Sequence, residues 1–143
     1  MKKNILVLCT GNSCRSQMAE GYLRQLTDAN TISIYSAGIE KYGVNPKAIA
    51  IMQEDGVDIS KHSSNTIDEY LTIDFDIIIT VCDHAKEQCP FFASKAQKYH
   101  YNFPDPAKAI GTAAQIDEQF RTTRQLIKDY CTVFVSENLL NNK

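Results

Sequence analysis

Ile5-Leu6-Val7-Leu8-Cys9-Thr10-Gly11-Asn12-Ser13-Cys14-Arg15-Ser16 is the stretch on which the fold turns. Its four leading apolar residues predict a short parallel strand covered on both faces, since a half-solvated strand would alternate with polar residues. Gln17-Met18-Ala19-Glu20-Gly21-Tyr22-Leu23-Arg24 follows with helical character, so a strand, a tight loop and a helix meet at residues 9–16. The amides of such a loop converge on one point and the helix N-terminus adds partial positive charge, which makes an oxyanion the natural guest. Thr10, Gly11, Asn12, Ser13, Cys14 and Arg15 are the expected anion-binding residues. Cys9 stands at the mouth of that cradle, where the same field lowers a cysteine pKa to about 3.5–7.5. Arg15 offers a planar fork for two oxygens of a tetrahedral anion, and Ser16 is placed to donate its hydroxyl to the Cys9 sulfur. A Cys-x5-Arg spacing recurs by chance. The flanking strand and helix, with Gly11 and Asn12 where unusual backbone angles are needed, rank a nucleophile in an anion receptor above a buried strand-end cysteine and a solvated arginine.

Outward from this stretch, a helix from residue 16 to about 26 buries Met18, Ala19, Tyr22, Leu23 and Leu26, spaced by three and four. Residues 31–35 alternate as a second strand, ended by Ser36-Ala37-Gly38. Asn45 caps a second helix with Pro46 at its first position; it runs to Gln53 or Asp55 and stops at Gly56. Residues 58–65 read as a polar connection and residues 66–70 as a short helical turn. Residues 75–81, with Ile77, Ile78, Ile79 and Thr80, carry the strongest strand signal and belong at the centre of the sheet. Residues 99–102 predict a shorter fourth strand. Residues 112 to about 135 predict a long helix with Ile116, Phe120, Ile127, Tyr130 and Phe134 inward, and residues 138–143 are expected to fray. Alternating strands and helices predict a single α/β domain over residues 1–143, a four-stranded parallel sheet with right-handed crossovers and helices on both faces. Ligands of such sheets bind beyond the carboxyl ends of the strands, which gathers the segments after Leu8, Val81 and Asn102 on one edge.

Composition sets the outer limits. A chain of 143 residues, 43% hydrophobic, builds one real core and is too short for two ordinary domains. Its net charge of −2 gives no sign of a nucleic-acid or acidic-membrane surface, so an anion site would have to be local. No run approaches a membrane span, and Met1-Lys2-Lys3 leads into a strand rather than a secretory segment. A cytoplasmic location without nucleic-acid or membrane partners is expected. So is a monomer, because no exposed apolar helix stripe stands out. Five cysteines, an odd number in a reducing compartment, are no disulfide framework.

Cys82-Asp83-His84-Ala85-Lys86-Glu87-Gln88-Cys89-Pro90 follows the central strand. Two thiols seven residues apart admit a zinc site with His84 as third ligand, although no second Cys-x2-Cys or His pair accompanies it. A thioredoxin-like motif would need two-residue spacing. Two small apolar packing residues and a redox pair serving Cys9 remain open beside these. Phe103-Pro104-Asp105-Pro106-Ala107 follows the fourth strand. An aspartate between prolines is commonly a turn residue, but beyond the same sheet edge Asp105 becomes a candidate general acid for an oxygen leaving group.

Taken together, residues 9–21, Tyr35-Ser36-Ala37-Gly38, Gly43-Val44-Asn45-Pro46-Lys47-Ala48, the Cys82 and Cys89 pair and Asp105-Pro106-Ala107 resemble the thioredoxin-coupled arsenate reductases. The resemblance is weakest in the last thirty or so residues. It implies the low-molecular-weight tyrosine phosphatase fold, reduction of arsenate to arsenite with thioredoxin as partner and reductant, and no metal or organic cofactor. It also implies that Cys9 is the nucleophile, Arg15 and the loop amides bind arsenate, Ser16 stabilises the thiolate, Asp105 is the acid, and Cys82 and Cys89 are relay thiols. Some members hold potassium at positions matching Asn12, Glu20, Ser36 and an aspartate whose place Asn65 takes here. A lost carboxylate weakens the pull on a cation, and His62 is placed to meet Glu20 instead. Phe91-Phe92-Ala93 replaces an expected proline-rich stretch. Cys14 is expected to pack or to protect Cys9 as a disulfide under oxidation, and Cys131 to be core. The other reading, a phosphotyrosine phosphatase using Cys9, Arg15 and Asp105, is opposed by Ala107, where related phosphatases carry an aromatic residue to contact the substrate ring.

Overall fold

Lys3–Cys9 forms β1, buried at every position from Ile5 onward, as its unbroken apolar run requires. The computed structural model describes residues 2–83, 85 and 95–139; His84, Cys89, Phe91-Phe92-Ala93 and residues 140–143 lie outside them. β2 (Ile32–Gly38) pairs parallel with β1 along its whole length, from Lys3 opposite Ile32 to Cys9 opposite Gly38. This strand outruns the expected residues 31–35 because Ser36, Ala37 and Gly38, which read as a terminator, satisfy their backbone groups against Val7, Leu8 and Cys9. β3 (Ile77–Thr80), buried at all four positions, flanks β1 on its other side. β4 (Gln97–His100) completes the parallel order β2-β1-β3-β4. The fourth strand starts two residues before the expected 99–102 and ends at His100. Its exposed Gln97 and Lys98 carry no apolar signal because an edge strand needs none.

Among the described residues three longer helices accompany this sheet. α1 (Arg15–Leu26) lies against β1, β2 and the long C-terminal helix, α3 (Ala113–Asn138), and α2 (Pro46–Glu54) lies against α3. The Asn45 side chain accepts from the Lys47 and Ala48 amides, with Pro46 in the first turn, and Thr112 with Gln115 closes a capping box at the start of α3. α3 stays helical through Asn138, where fraying was expected, with the Leu139 amide on the Val135 carbonyl. Ile116 and Tyr130 on its inward side are only half-buried, while Phe120, Ile127 and Phe134 are fully in. One hydrophobic cluster joins β1, β3, α1, α2 and α3 and includes Cys131. Cys9 ends a strand that this cluster holds rigid.

Candidate active site

Beyond Cys9 the chain turns through residues 10–14 into α1. Asn12 makes the turn in the left-handed conformation, φ 49°, which a short polar side chain tolerates better than most. Its buried amide fixes the turn. Nδ2 donates to Ser16 Oγ at 2.8 Å and Ser36 Oγ at 2.9 Å, and Oδ1 accepts the Asn65 N–H at 2.7 Å. The Asn12 carbonyl accepts from Gln17 Nε2 at 3.1 Å and Ser64 Oγ at 2.9 Å. Gly38 permits the close approach of β2: a Cβ there would collide with the Glu40 carbonyl and come within 2.7 Å of Thr10 O and 2.8 Å of Asn12 N.

A cavity of about 240 Å³ opens at this turn, lined by Cys9, Thr10, Gly11, Ser13, Cys14 and Arg15 of the loop together with Tyr42, Asp105, Ala107 and Lys108. Asn12, expected among the anion-binding residues, does not line it; its side chain is consumed in holding the loop. Arg15 is aimed by its Nη1 donating to the Phe103 carbonyl at 3.1 Å, while Nη2 lies 3.6 Å from Asp105 Oδ2. Asp105 also caps the short turn Pro106–Lys108, accepting the Ala107 amide at 3.0 Å. A larger cavity of about 540 Å³ between α2 and that turn is lined by Asn45, Lys47, Ala50, Ile116 and Phe120, among others. Its cation, Lys47, is already paired with Asp117.

Cys82, directly beyond β3, hydrogen-bonds Cys9, and its Sγ lies 3.1 Å from Thr10 Oγ1. The hydrogen bond to Cys82, then burial, pushes the Cys9 thiol well above the usual range, with Arg15 opposing. The hydrogen bond from Cys9, then the Thr10 hydroxyl and the Ala85 N–H, holds Cys82 down to about 5 against the cost of burial. The two thiols are thus coupled: Arg15 favours the ionised form of Cys9, while the Thr10 hydroxyl and the Ala85 N–H favour that of Cys82. A Cys9 thiolate therefore has Arg15 and the Thr10 backbone N–H in its favour, and burial with the neighbouring Cys82 against it. Ser16 Oγ accepts from Asn12 Nδ2 at 2.8 Å, which ties it to the loop scaffold, and among the described residues no hydrogen bond joins it to Cys9. Burial pushes the Cys14 thiol up to about 11 and Cys131 to about 12.

The residues expected to hold potassium are engaged with one another. Glu20, buried on α1, accepts from Ser36 Oγ at 2.5 Å and from Arg24 Nε at 2.8 Å, and His62 Nε2 stands 3.8 Å away. The Asn65 side chain turns to Glu69 and Ser63. With Arg24 on Glu20 and the Asn12 oxygen taken by an amide, this set does not fit a cation, and no step is routed through one. Among the described residues no group of three or more His, Cys, Asp or Glu gathers to hold a metal. His84 and Cys89, of the zinc reading, lie outside those residues. Sequence reasoning missed Gln17 and His62 as cradle supports. Gln17 Nε2 also donates to the Ser63 carbonyl at 3.0 Å and its Oε1 meets His62 Nδ1 at 3.0 Å. A glutamine beside the apolar stripe of α1 was the available signal.

The model of the family described as low molecular weight phosphotyrosine protein phosphatase matches residues 4–143. An arsenate reductase of Halalkalibacterium halodurans is 48% identical over 126 residues, covering 88% of this chain and 90% of that protein. Arsenate reductase 2 of Staphylococcus epidermidis is 48% identical over 128 residues, 89% of this chain and 97% of its own. Among solved structures, an arsenate reductase in the phosphate-binding state superposes with a TM-score of 0.79 at 33% identity, covering 94% of this chain and 98% of that one. Among the described residues no helix is long and apolar enough to cross a membrane.

Proposed function

The chain belongs to the low molecular weight phosphotyrosine protein phosphatase family, and from that premise we propose that it is a single-domain arsenate reductase, residues 1–143, using Cys9, Cys82 and Cys89 in turn. The observation that carries this reading is the second thiol. Hydrolysis at a cysteine–arginine cradle gives no task to Cys82, yet Cys82 is hydrogen-bonded to Cys9 and its Sγ lies 3.1 Å from the Thr10 hydroxyl of the loop. Relatives nearly half identical over most of the chain bear the name of that activity.

In the proposed sequence arsenate enters the 240 Å³ cavity and takes the Arg15 fork, releasing Asp105 from the guanidinium. Cys82 accepts the Cys9 proton as Cys9 attacks arsenic, and one arsenate oxygen, protonated by Asp105, leaves as water. Cys82 passes that proton to solvent, and its thiolate, supported by the Thr10 hydroxyl and the Ala85 amide, then attacks the Cys9 sulfur. The sulfur–arsenic bond breaks, its electron pair reduces arsenic by two electrons, arsenite departs, and a Cys9–Cys82 disulfide remains. Cys89 attacks Cys82 and frees Cys9; a thioredoxin dithiol returns the two electrons by reducing Cys82–Cys89. Phosphotyrosine hydrolysis by Cys9, Arg15 and Asp105 is the second reading. Ala107 at the cavity opposes it by offering no ring to stack on an aryl group.

The test measures arsenite in the presence of thioredoxin, thioredoxin reductase and NADPH. Cys9→Ser and Cys82→Ser should yield none. Cys89→Ser should yield at most one arsenite per protein and accumulate a Cys9–Cys82 disulfide. Continuous turnover by Cys89→Ser, or brisk aryl phosphate hydrolysis without arsenite, would overturn the assignment.

A further inference from the structure

We infer that His100, held by Thr80, is a positioning residue that clamps Asp83 and so fixes the Cys82 sulfur against Cys9; this rests on the relay reading above. Thr80 and His100 stand opposite each other in the β3–β4 ladder. Thr80 Oγ1 pairs with His100 Nδ1 at 2.7 Å, and His100 Nε2 donates to Asp83 Oδ1 at 2.6 Å. The Asp83 amide donates to Asn102 Oδ1 at 3.1 Å. On the other side of Cys82, the Val81 amide reaches the Leu8 carbonyl at 3.0 Å and the Val81 carbonyl accepts the Phe103 amide at 3.1 Å. The nucleophile of the second step is therefore pinned one residue before and one residue after.

Neither His100 nor Asp83 lines the anion cavity, so the first step makes no use of them. Nor does stability explain them, because the Asp83 side chain is 70% exposed and ion pairs so open to water contribute little. What the clamp changes is geometry. Attack of one sulfur on another within a folded chain depends on near-contact alignment, and a displacement of about 1 Å costs on the order of a hundredfold in rate.

The experiment uses the Cys89→Ser protein, in which the relay stops at Cys9–Cys82, with His100→Phe, Asp83→Ala and Asp83→Asn added singly. Formation of the Cys9–Cys82 disulfide is timed in two ways. In one, diamide, an azo oxidant, takes up two electrons and two protons from the thiols as their disulfide forms. In the other, the arsenite burst from one equivalent of arsenate is followed. His100→Phe and Asp83→Ala should slow both about tenfold or more, whereas Asp83→Asn, whose amide oxygen still accepts from Nε2, should stay near the parent. The rise in melting temperature with inorganic phosphate, which reads the cradle alone, should be unchanged in all. Unaltered rates in His100→Phe and Asp83→Ala overturn the clamp, as does slowing matched by loss of the phosphate response. If the parent gives no arsenite burst while the diamide series still follows the clamp, it is the arsenate reading that fails and not this one.

Discussion

At the scale of single residues, a hydroxyl supports the ionised form of Cys82. Thr10 was identified from its place in the loop as one amide among several, but its Oγ1 lies 3.1 Å from a sulfur 72 residues away. Thr10→Val keeps the shape and removes the donor. A hydrogen bond to a charged group is worth about 1.5–3 kcal/mol, so the arsenite burst of the Cys89→Ser protein should slow roughly ten- to a hundredfold at neutral pH, while phosphate binding is retained. An unchanged burst would assign the Cys82 thiolate to other donors. That Cys9, Arg15 and Asp105 come to one cavity was legible because each follows a strand ending at the same edge of the sheet. Ser16 and Asn12 were misplaced in role, because which way a small polar side chain turns depends on partners such as Ser36 and Asn65 that lie far along the chain.

At the scale of elements, the segment 58–65, read as a polar connection, is a strap on the cradle. It reaches Asn12 through Ser64 and Asn65, and Gln17 through His62 and Ser63. Burial pushes His62 below its ordinary 6.5, outweighing the pull of Glu20. Between that lowered value and 6.5 the unfolded chain binds more protons than the folded one, so the stability is whole above pH 6.5 and is lost as pH falls through the window. Between about pH 7.5 and 5.5 the melting temperature of the parent should therefore drop more than that of His62→Gln; equal drops would remove the strap histidine from the account. The end of β2 carries a sharper constraint. Gly38→Ala would press a methyl group between the Glu40 carbonyl and the Thr10–Asn12 backbone, and overpacking of this kind costs about 1–3 kcal/mol. Melting temperature and arsenite formation should fall together in this variant, and a fall in neither would show that the loop yields.

At the scale of the whole molecule, the fold delivers three strand ends to one edge, and occupancy of that edge should be felt as stability. Inorganic phosphate at a hundred times its dissociation constant adds about 2.7 kcal/mol, roughly 5–10 °C in melting temperature for a chain of this size. Arg15→Lys, which keeps the charge and loses the fork, should forfeit most of that shift; a full shift would mean that the amides alone hold the anion. The sequence by itself determined the parallel sheet, the turn from Cys9 to Arg15 at its edge, and the cap at Asn45, because each is written in contiguous residues whose spacing and side-chain chemistry act locally. Only the tertiary structure decided that Cys82 meets Cys9 and the Thr10 hydroxyl, that Arg24 and His62 attend Glu20, and that His100 reaches Asp83. Proton sharing and ion pairing depend on ångström distances between residues that strand register and core packing bring together, and no local pattern encodes those distances.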